Sequence, residues 1–273
     1  MLGSVHEAED LLQDAYLRWH GVDIGAVDNP AAYLVSLVSR LCIDALRSAH
    51  ERRLSYVGPW LPEPLVTVSD DLSTNPERLQ EISDDLSTAF LLMLERLNPV
   101  ERAVFLLHEC FDFGYREIGE IVERSEENCR QIERRARQRL GRERRVVIDP
   151  EEHDRLARSF FEAMGQGSLE GLLELLSTDA VMYSDGGGRA QAARVPIVGA
   201  EKISRTLLSF LQHLPATFSA RLATVNGTTG ILAYEGTQLN SVFSLLVVDG
   251  KIEAIYIVVN PEKLGSEKGE GEG

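Results

Sequence analysis

Between positions 130 and 138 the sequence sets Arg130, Gln131, Arg134, Arg135 and Gln138 around an apolar stripe, Cys129, Ile132 and Ala136, spaced i, i+3 and i+7. That spacing gathers the apolar three on one side of a helix and turns the arginines and glutamines to its other faces. A guanidinium fork donates paired hydrogen bonds to phosphate oxygens or to a guanine edge, and a glutamine amide matches adenine, so these residue types suit reading of duplex DNA. From Arg124 to Arg145 nine Arg stand against four Glu, a local balance of +5. A plain solvated basic face is the alternative.

Elsewhere the supply of reactive groups is thin. His153 and His213 fall on predicted helices, where a lone histidine is more often a surface or packing residue. Asp185 ends a predicted strand and could act as a base if buried. It heads Asp185-Gly186-Gly187-Gly188, which lacks the P-loop lysine and the Rossmann spacing, so nucleotide binding is rejected. Cys42, Cys110 and Cys129 are widely spaced beside apolar neighbours and read as buried free thiols. No catalytic residue, metal site or cofactor is expected from these patterns.

The elements that must position the basic residues follow from periodicity and caps. Tyr115, Ile118, Gly119 and Val122 define a first short helix; Ser125 can cap a second, with Glu126 and Glu127 at its positive end. Two short helices across a tight turn make a helix-turn-helix. Upstream, a helix is expected over 77–97, and Asn98-Pro99-Val100-Glu101 caps another whose Ala103, Leu106 and Leu107 pack under the pair. At the N-terminus, Ser4 and Glu7 fit a capping box before a helix with Leu11, Leu12, Ala15, Tyr16 and Trp19 on its apolar face. Asn29-Pro30 opens the next helix, whose predicted core face is Tyr33, Leu34, Leu37, Val38, Leu41, Ala45 and Leu46. Arg40, Asp44, Arg47, Arg52 and Arg53 are left to solvent or DNA.

Between these helical parts lies Tyr56-Val57-Gly58-Pro59-Trp60-Leu61-Pro62-Glu63-Pro64, where the prolines favour an extended, stiffened linker. Trp60 is costly to leave in water and is expected to dock in an apolar pocket of the protein or of a partner. Beyond Asp149 the composition changes. Helices are predicted over 151–164, 169–176 and 201–214, with strands over 181–184, 194–198, 217–225, 230–234, 241–248 and 251–259. Asn226-Gly227 and Asp249-Gly250 are hairpin turns. Helices before a curved antiparallel sheet predict an α+β cone.

The 273 residues suit two or three domains, and the net charge is −15. Neither side of Asp149 is basic: 18 basic and 27 acidic residues precede its end, 10 and 16 follow. Phosphate repels such a chain, so its DNA contact must be local and is expected to need a partner. No apolar run approaches the ~20 residues of a membrane span, and no signal core follows Met1, so no membrane partner and a cytoplasmic location are expected.

Residues 94–140 carry L-x-R-L-x-P-x-E-R-A, Y-x-E-I and R-x-A-R, and resemble the promoter-reading domain of bacterial extracytoplasmic-function sigma factors. The resemblance assigns DNA reading at the minus-thirty-five element to 126–139, and core RNA polymerase and promoter DNA as partners. Ala8 to Trp19 looks like the helix that docks on the polymerase clamp, which implies polymerase contacts at Glu9, Asp10, Gln13 and Asp14. The R-L-C-I-D-A-L-R-S-A helix resembles the one that recognises and melts the minus-ten element, which implies DNA contacts at Arg40 and Arg47. Family members have a further helix before this point, so the chain is expected to begin inside that domain.

Trp60-Leu61-Pro62-Glu63-Pro64, Asp185-Gly186-Gly187-Gly188 and Asn260-Pro261-Glu262-Lys263-Leu264 resemble the signatures of the sigma-factor class with a fused SnoaL-like domain. The resemblance implies regulatory contacts among these stretches and a pocket at the wide end of the cone. The expected division is 1–54 for the melting and polymerase-binding domain, 55–76 for the linker, 77–145 for the helix-turn-helix domain, 150–264 for the SnoaL-like domain and 265–273 for a disordered tail. A pocket without a catalytic pair fits a small-molecule sensor or a docking domain better than an enzyme. The rivals are a SnoaL-like enzyme with a vestigial DNA-binding module and a plain helix-turn-helix repressor.

Overall fold

A computed structural model describes residues 1–67 except Ile24, Ala26 and Leu54, together with 87–140 and 149–265. The polar continuation of the linker over 68–76, the start of the helix expected from 77, the basic stretch 141–145 and the tail 266–273 lie outside the described residues. Two compact units result. One takes in Met1–Ser55 and the described residues from Leu91 to Leu140, the other Tyr56–Phe90 and those from Asp149 on.

The first unit is helical. Helix α1 (Val5–His20) starts where the Ser4 hydroxyl accepts from the Glu7 amide, as the capping pattern predicts. Only part of its expected apolar face is inward: Leu11 and Ala15 are buried, whereas Leu12 and Tyr16 are 58% and 64% exposed. Helix α2 (Pro30–Arg53) crosses α1 through Cys42 and Leu46, with Val38, Leu41 and Ala45 beside them. Tyr33, expected in the core, instead sits at the surface with its ring 5.6 Å from that of Trp19. A second side of α2, bearing Val35 and Ile43, enters another core.

That core is the helix-turn-helix. Helix α3 (Thr88–Leu94) precedes α4 (Pro99–Glu109), α5 (Tyr115–Val122) and α6 (Glu126–Leu140). The capping box of α4 is complete: Asn98 accepts from the Glu101 amide at 2.9 Å, and Glu101 accepts from the Asn98 amide at 3.1 Å. Ala103, Val104 and Leu107 pack with Ile118, Ile121, Val122, Cys129 and Ile132. The turn between α5 and α6 requires Gly119, because a Cβ there would stand 2.6 Å from the Arg124 carbonyl oxygen. Ser125 caps α6 through its hydroxyl, which accepts from the Asn128 amide.

The second unit is the α+β cone. Helices α7 (Pro150–Gln166), α8 (Leu169–Leu175) and α9 (Ala200–Leu211) cover a sheet of β2 (Leu176–Asp185), β3 (Ile197–Val198), β4 (Phe218–Val225), β5 (Thr228–Glu235), β6 (Gln238–Val248) and β7 (Lys251–Val258). Asn226-Gly227 and Asp249-Gly250 turn its hairpins with all four residues at positive φ. With β1 (Val66–Thr67) at one edge, the sheet order is β1-β4-β5-β6-β7-β2-β3, and every neighbouring pair is antiparallel except β2 and β7. A parallel pair needs a long crossover, and here everything between β2 and β7 supplies it.

Phe160, Ile203, Leu207, Phe243, Leu245 and Ile255 are among the side chains that fill the cone. Residues alternating with them on the sheet, Leu232, Val242, Ser244 and Tyr256, are buried as well, so the outer face is also covered. Helix α10 (Pro261–Leu264) packs against β6. The edge strand β1 (Val66–Thr67) comes from the linker, which periodicity alone did not show as a strand, and pairs with β4.

Candidate functional site

On α6 the fold separates the two sets of residues. Cys129, Ile132, Glu133, Ala136 and Leu140 are buried, whereas Arg130, Gln131, Arg134, Arg135 and Gln138 are exposed. At ~100° per residue those five fall within an arc of about 140° opposite the core. The arginines divide by partner. Arg137 is held by Glu133 and Glu109, and Arg139 bonds to Glu101 at 2.8 Å, so both brace α6 on α4. Arg130 pairs with Glu126 and lies 5.4 Å from the Tyr115 ring centre. Burial and the nearby Glu133 carboxylate raise the Tyr115 pKa. A basic arc on the second helix of a helix-turn-helix can enter a major groove with its guanidinium and amide groups leading.

Glu9, Asp10, Gln13 and Asp14 are all exposed on α1, on the side where Leu12, Tyr16 and Leu17 also stand out from the surface. Acid and apolar groups thus share one open face. Arg47 pairs with Asp44 at 3.0 Å on the exposed side of α2. Arg40 is placed differently: its guanidinium donates to the Ile121 and Glu120 carbonyls at the end of α5 and lies 3.1 Å from the Glu123 carboxylate.

The linker and both distal motifs meet on Asp185 in the second unit. Asp185 is fully buried at the end of β2. Its Oδ1 accepts from the Tyr56 hydroxyl at 2.6 Å and from the Gly187 amide at 3.0 Å. Its Oδ2 accepts from the Leu61 amide at 2.8 Å and from Lys263 Nζ at 2.7 Å. Lys263 also donates to the Leu61 carbonyl, and its ammonium stands 4.3 Å from the Trp60 ring centre and 5.1 Å from that of Tyr56. Asn260 donates to the Tyr56 hydroxyl at 3.0 Å and caps α10 by accepting from the Glu262 amide. Burial, and then the Asp185 carboxylate, drive the Tyr56 pKa well above its ordinary value.

The glycines follow from this crowding. A Cβ at Gly187, where φ is +59°, would meet Asn260 Nδ2 at 2.3 Å, and one at Gly186 would meet the Ala190 carbonyl oxygen at 2.5 Å. Gly188 closes on Val57. Leu61, Pro62 and Glu63 are buried, Pro64 is half-buried, Pro261 is exposed and Leu264 is buried. Sequence reasoning missed Tyr56, although a phenol four residues before Trp60 in the same linker was a usable signal. It also missed Asn226, which accepts from the Leu65 amide and donates to Thr88 Oγ1, pinning the end of the linker.

The other reactive candidates are occupied. His153 Nε2 donates to the Leu245 carbonyl inside the cone, and burial lowers its pKa. His213, expected on a helix, is exposed in the turn just past the end of α9 and bonds to the Ser209 carbonyl of that helix. Among the described residues, no group of three or more His, Cys, Asp or Glu could hold a metal ion, and no helix is long and apolar enough to cross a membrane.

Residues 1–52 match the family model for sigma-70 region 2, and residues 87–140 match that for sigma-70, region 4. The chain is 35% identical over 274 residues to "ECF RNA polymerase sigma factor SigJ" of Mycobacterium tuberculosis, covering 96% of this chain and 87% of the relative. It is 32% identical over 270 residues to "Probable ECF RNA polymerase sigma factor SigI" of the same species, covering 97% and 88%. The crystal structure of the Mycobacterium tuberculosis extracytoplasmic function sigma factor SigJ aligns with a TM-score of 0.77 at 32% identity, over 96% of this chain and 91% of that one.

Proposed function

The chain belongs to the extracytoplasmic-function RNA polymerase sigma factors, and from that premise we propose how its parts divide the work. Arg130, Gln131, Arg134, Arg135 and Gln138 read the minus-thirty-five element; α2, with Arg47 on its open side, serves the minus-ten element. The exposed face of α1, with Glu9, Asp10, Gln13 and Asp14 around Leu12 and Tyr16, docks on core RNA polymerase. The working location is the cytoplasm. The functional divisions are 1–54, 55–76, 77–145 and 150–264. The observation that carries this reading is the exposed basic arc of α6 opposite its buried stripe.

The SnoaL-like domain acts in cis as a docking domain for the linker. Its support is the Asp185 carboxylate, whose four hydrogen bonds tie Tyr56, Leu61 and Lys263 to the Gly187 loop. A carboxylate with both oxygens so engaged is poorly placed to take a proton from a substrate. His153 is committed to a carbonyl and the cone is packed with side chains, which favours docking over turnover or small-molecule sensing. Reconstituted transcription with core RNA polymerase is the test: Arg134→Ala and Arg135→Ala should lose minus-thirty-five footprinting. Wild-type footprints and transcript levels from both variants would overturn the assignment.

A further inference from the structure

A cavity of about 210 Å³ lies between the linker and the loop that leaves β2, outside the packed interior of the cone. Val57 and Gly58 of the linker form one wall; Ser184, Gly186, Gly188 and the stretch 190–194 form the rest. Small residues let the walls approach closely. A Cβ at Gly188 would stand 3.3 Å from Val57, and one at Gly58 would stand 3.6 Å from the Cα of Arg194. Both glycines are at positive φ, which disfavours larger residues on backbone grounds as well. Drug-sized ligands occupy ~300–1,000 Å³, so this space suits a molecule of only a few heavy atoms.

The side chains around the cavity offer donors. Ser184 is 8% exposed; its Oγ accepts from the Ala193 amide at 3.0 Å, and its own hydrogen has no acceptor among the described residues. Gln191 and Arg194 stand exposed at the lip, and neither side chain has a partner among the described residues. The neighbouring charges are already matched, Asp185 with Lys263 and Arg189 with Glu262 at 2.8 Å. Arg194 therefore brings an uncompensated positive charge to the rim. A guanidinium donates and cannot accept, and a serine hydroxyl that already accepts has its hydrogen to give. Anionic oxygens match that donor set, and hydrogen bonds from a guanidinium to them are among the strong ones.

We propose that the seam between the linker and the glycine loop binds a small carboxylate or phosphate anion, with Arg194 pairing its charge and Ser184 donating from the buried side. Because the linker forms one wall, the bound anion holds Val57 and Gly58 against the loop and reinforces docking of the linker. This second step rests on the reading of the cone as the docking domain of the linker; the binding itself does not. An anion bound only by the docked form adds stability that grows with the logarithm of its concentration relative to its Kd.

The test titrates the full chain with sodium succinate and, separately, with inorganic phosphate, at an ionic strength fixed with chloride. Backbone amide shifts and the rate of proteolysis between Tyr56 and Pro64 are read together. Saturable shifts centred on 186–194 and on the Val57 and Gly58 amides are expected, with slower cleavage at saturation. Saturation by succinate alone assigns a carboxylate ligand, by phosphate alone a phosphate ligand, and by both the anionic oxygen group they share. Arg194→Gln should weaken binding about tenfold, the scale of one charge-assisted hydrogen bond, with Arg194→Lys intermediate and Arg189→Gln as wild type. Shifts that never saturate with either anion, or an unchanged affinity in Arg194→Gln, overturn the site. Saturable binding with unchanged linker cleavage leaves the site standing and overturns the docking reading of the cone instead.

Discussion

Lys263 Nζ lies 2.7 Å from Asp185 Oδ2, joining the helix after the last strand of the cone to the end of its first. Leu61 stands between them in hydrogen bonding, its amide on Asp185 and its carbonyl on Lys263. The Asp185 side chain is fully buried and that of Lys263 is 13% exposed, so the pair is shielded from salt and from competing water. One ion pair therefore holds linker, glycine loop and tail together.

Replacing Asp185 with Asn should leave the Lys263 charge without its partner in a dry site, at a cost of ~3–5 kcal/mol to the second unit. Thermal unfolding should shift down, and proteolysis between Tyr56 and Pro64 should quicken. Lys263→Met, which removes the charge on the other side, should expose the same linker bonds to cleavage. Wild-type cleavage rates in both variants would show that the linker is held by other contacts.

Arg134→Ala and Arg135→Ala should each weaken promoter binding by ~1–3 kcal/mol if a base contact is lost, and relax preference at one base pair. A loss that is uniform across promoter variants and reduces the salt slope would instead identify a phosphate contact. Competition footprinting against single-base variants separates the two.

Gly119→Ala should damage DNA reading without touching DNA. Its methyl would collide with the Arg124 carbonyl, a backbone group that cannot rotate away, so the turn must open at a cost of ~1–3 kcal/mol. Lost footprinting at the minus-thirty-five element with α-helical circular dichroism retained is the expected result.

Stability of the cone should depend on His153. Burial lowers the pKa of His153 in the folded state below its unfolded value, so the unfolded chain binds the proton more readily. Stability from this group is complete above pH ~6.5 and is lost as pH falls below it, towards the depressed folded value. Urea titrations between pH 7.5 and 5 should show that slope, and His153→Gln should flatten it.

Deleting the chain after Asp149 should change transcription, and trimming only 260–273 should change it differently. The full deletion removes every cone partner of the linker, whereas the trim takes Asn260 and Lys263 but leaves Asp185 bonded to Tyr56 and Leu61. Equal transcription from all three forms, measured with core polymerase, would contradict regulation in cis.

Much of this was legible because the interactions are local. Asn98 and Glu101 are three residues apart, Asn226-Gly227 and Asp249-Gly250 define their own turns, and the stripe of Cys129, Ile132 and Ala136 states which way α6 must face. Periodicity and capping depend on neighbours in the chain, so the residue order alone determined the helix-turn-helix, most strands of the cone and the exposed basic arc. Partners distant in sequence were different. Nothing local says that Ile43 enters the core of the helix-turn-helix, that Arg40 ends on α5, that β1 pairs with β4, or that β2 runs parallel to β7. The motifs around Trp60, Asp185 and Asn260 could be named, but their union required a buried carboxylate, and burial is a property of the whole packed unit. Tertiary structure decided these points because the cost of leaving a charge or strand edge unpaired is set by what surrounds it in space.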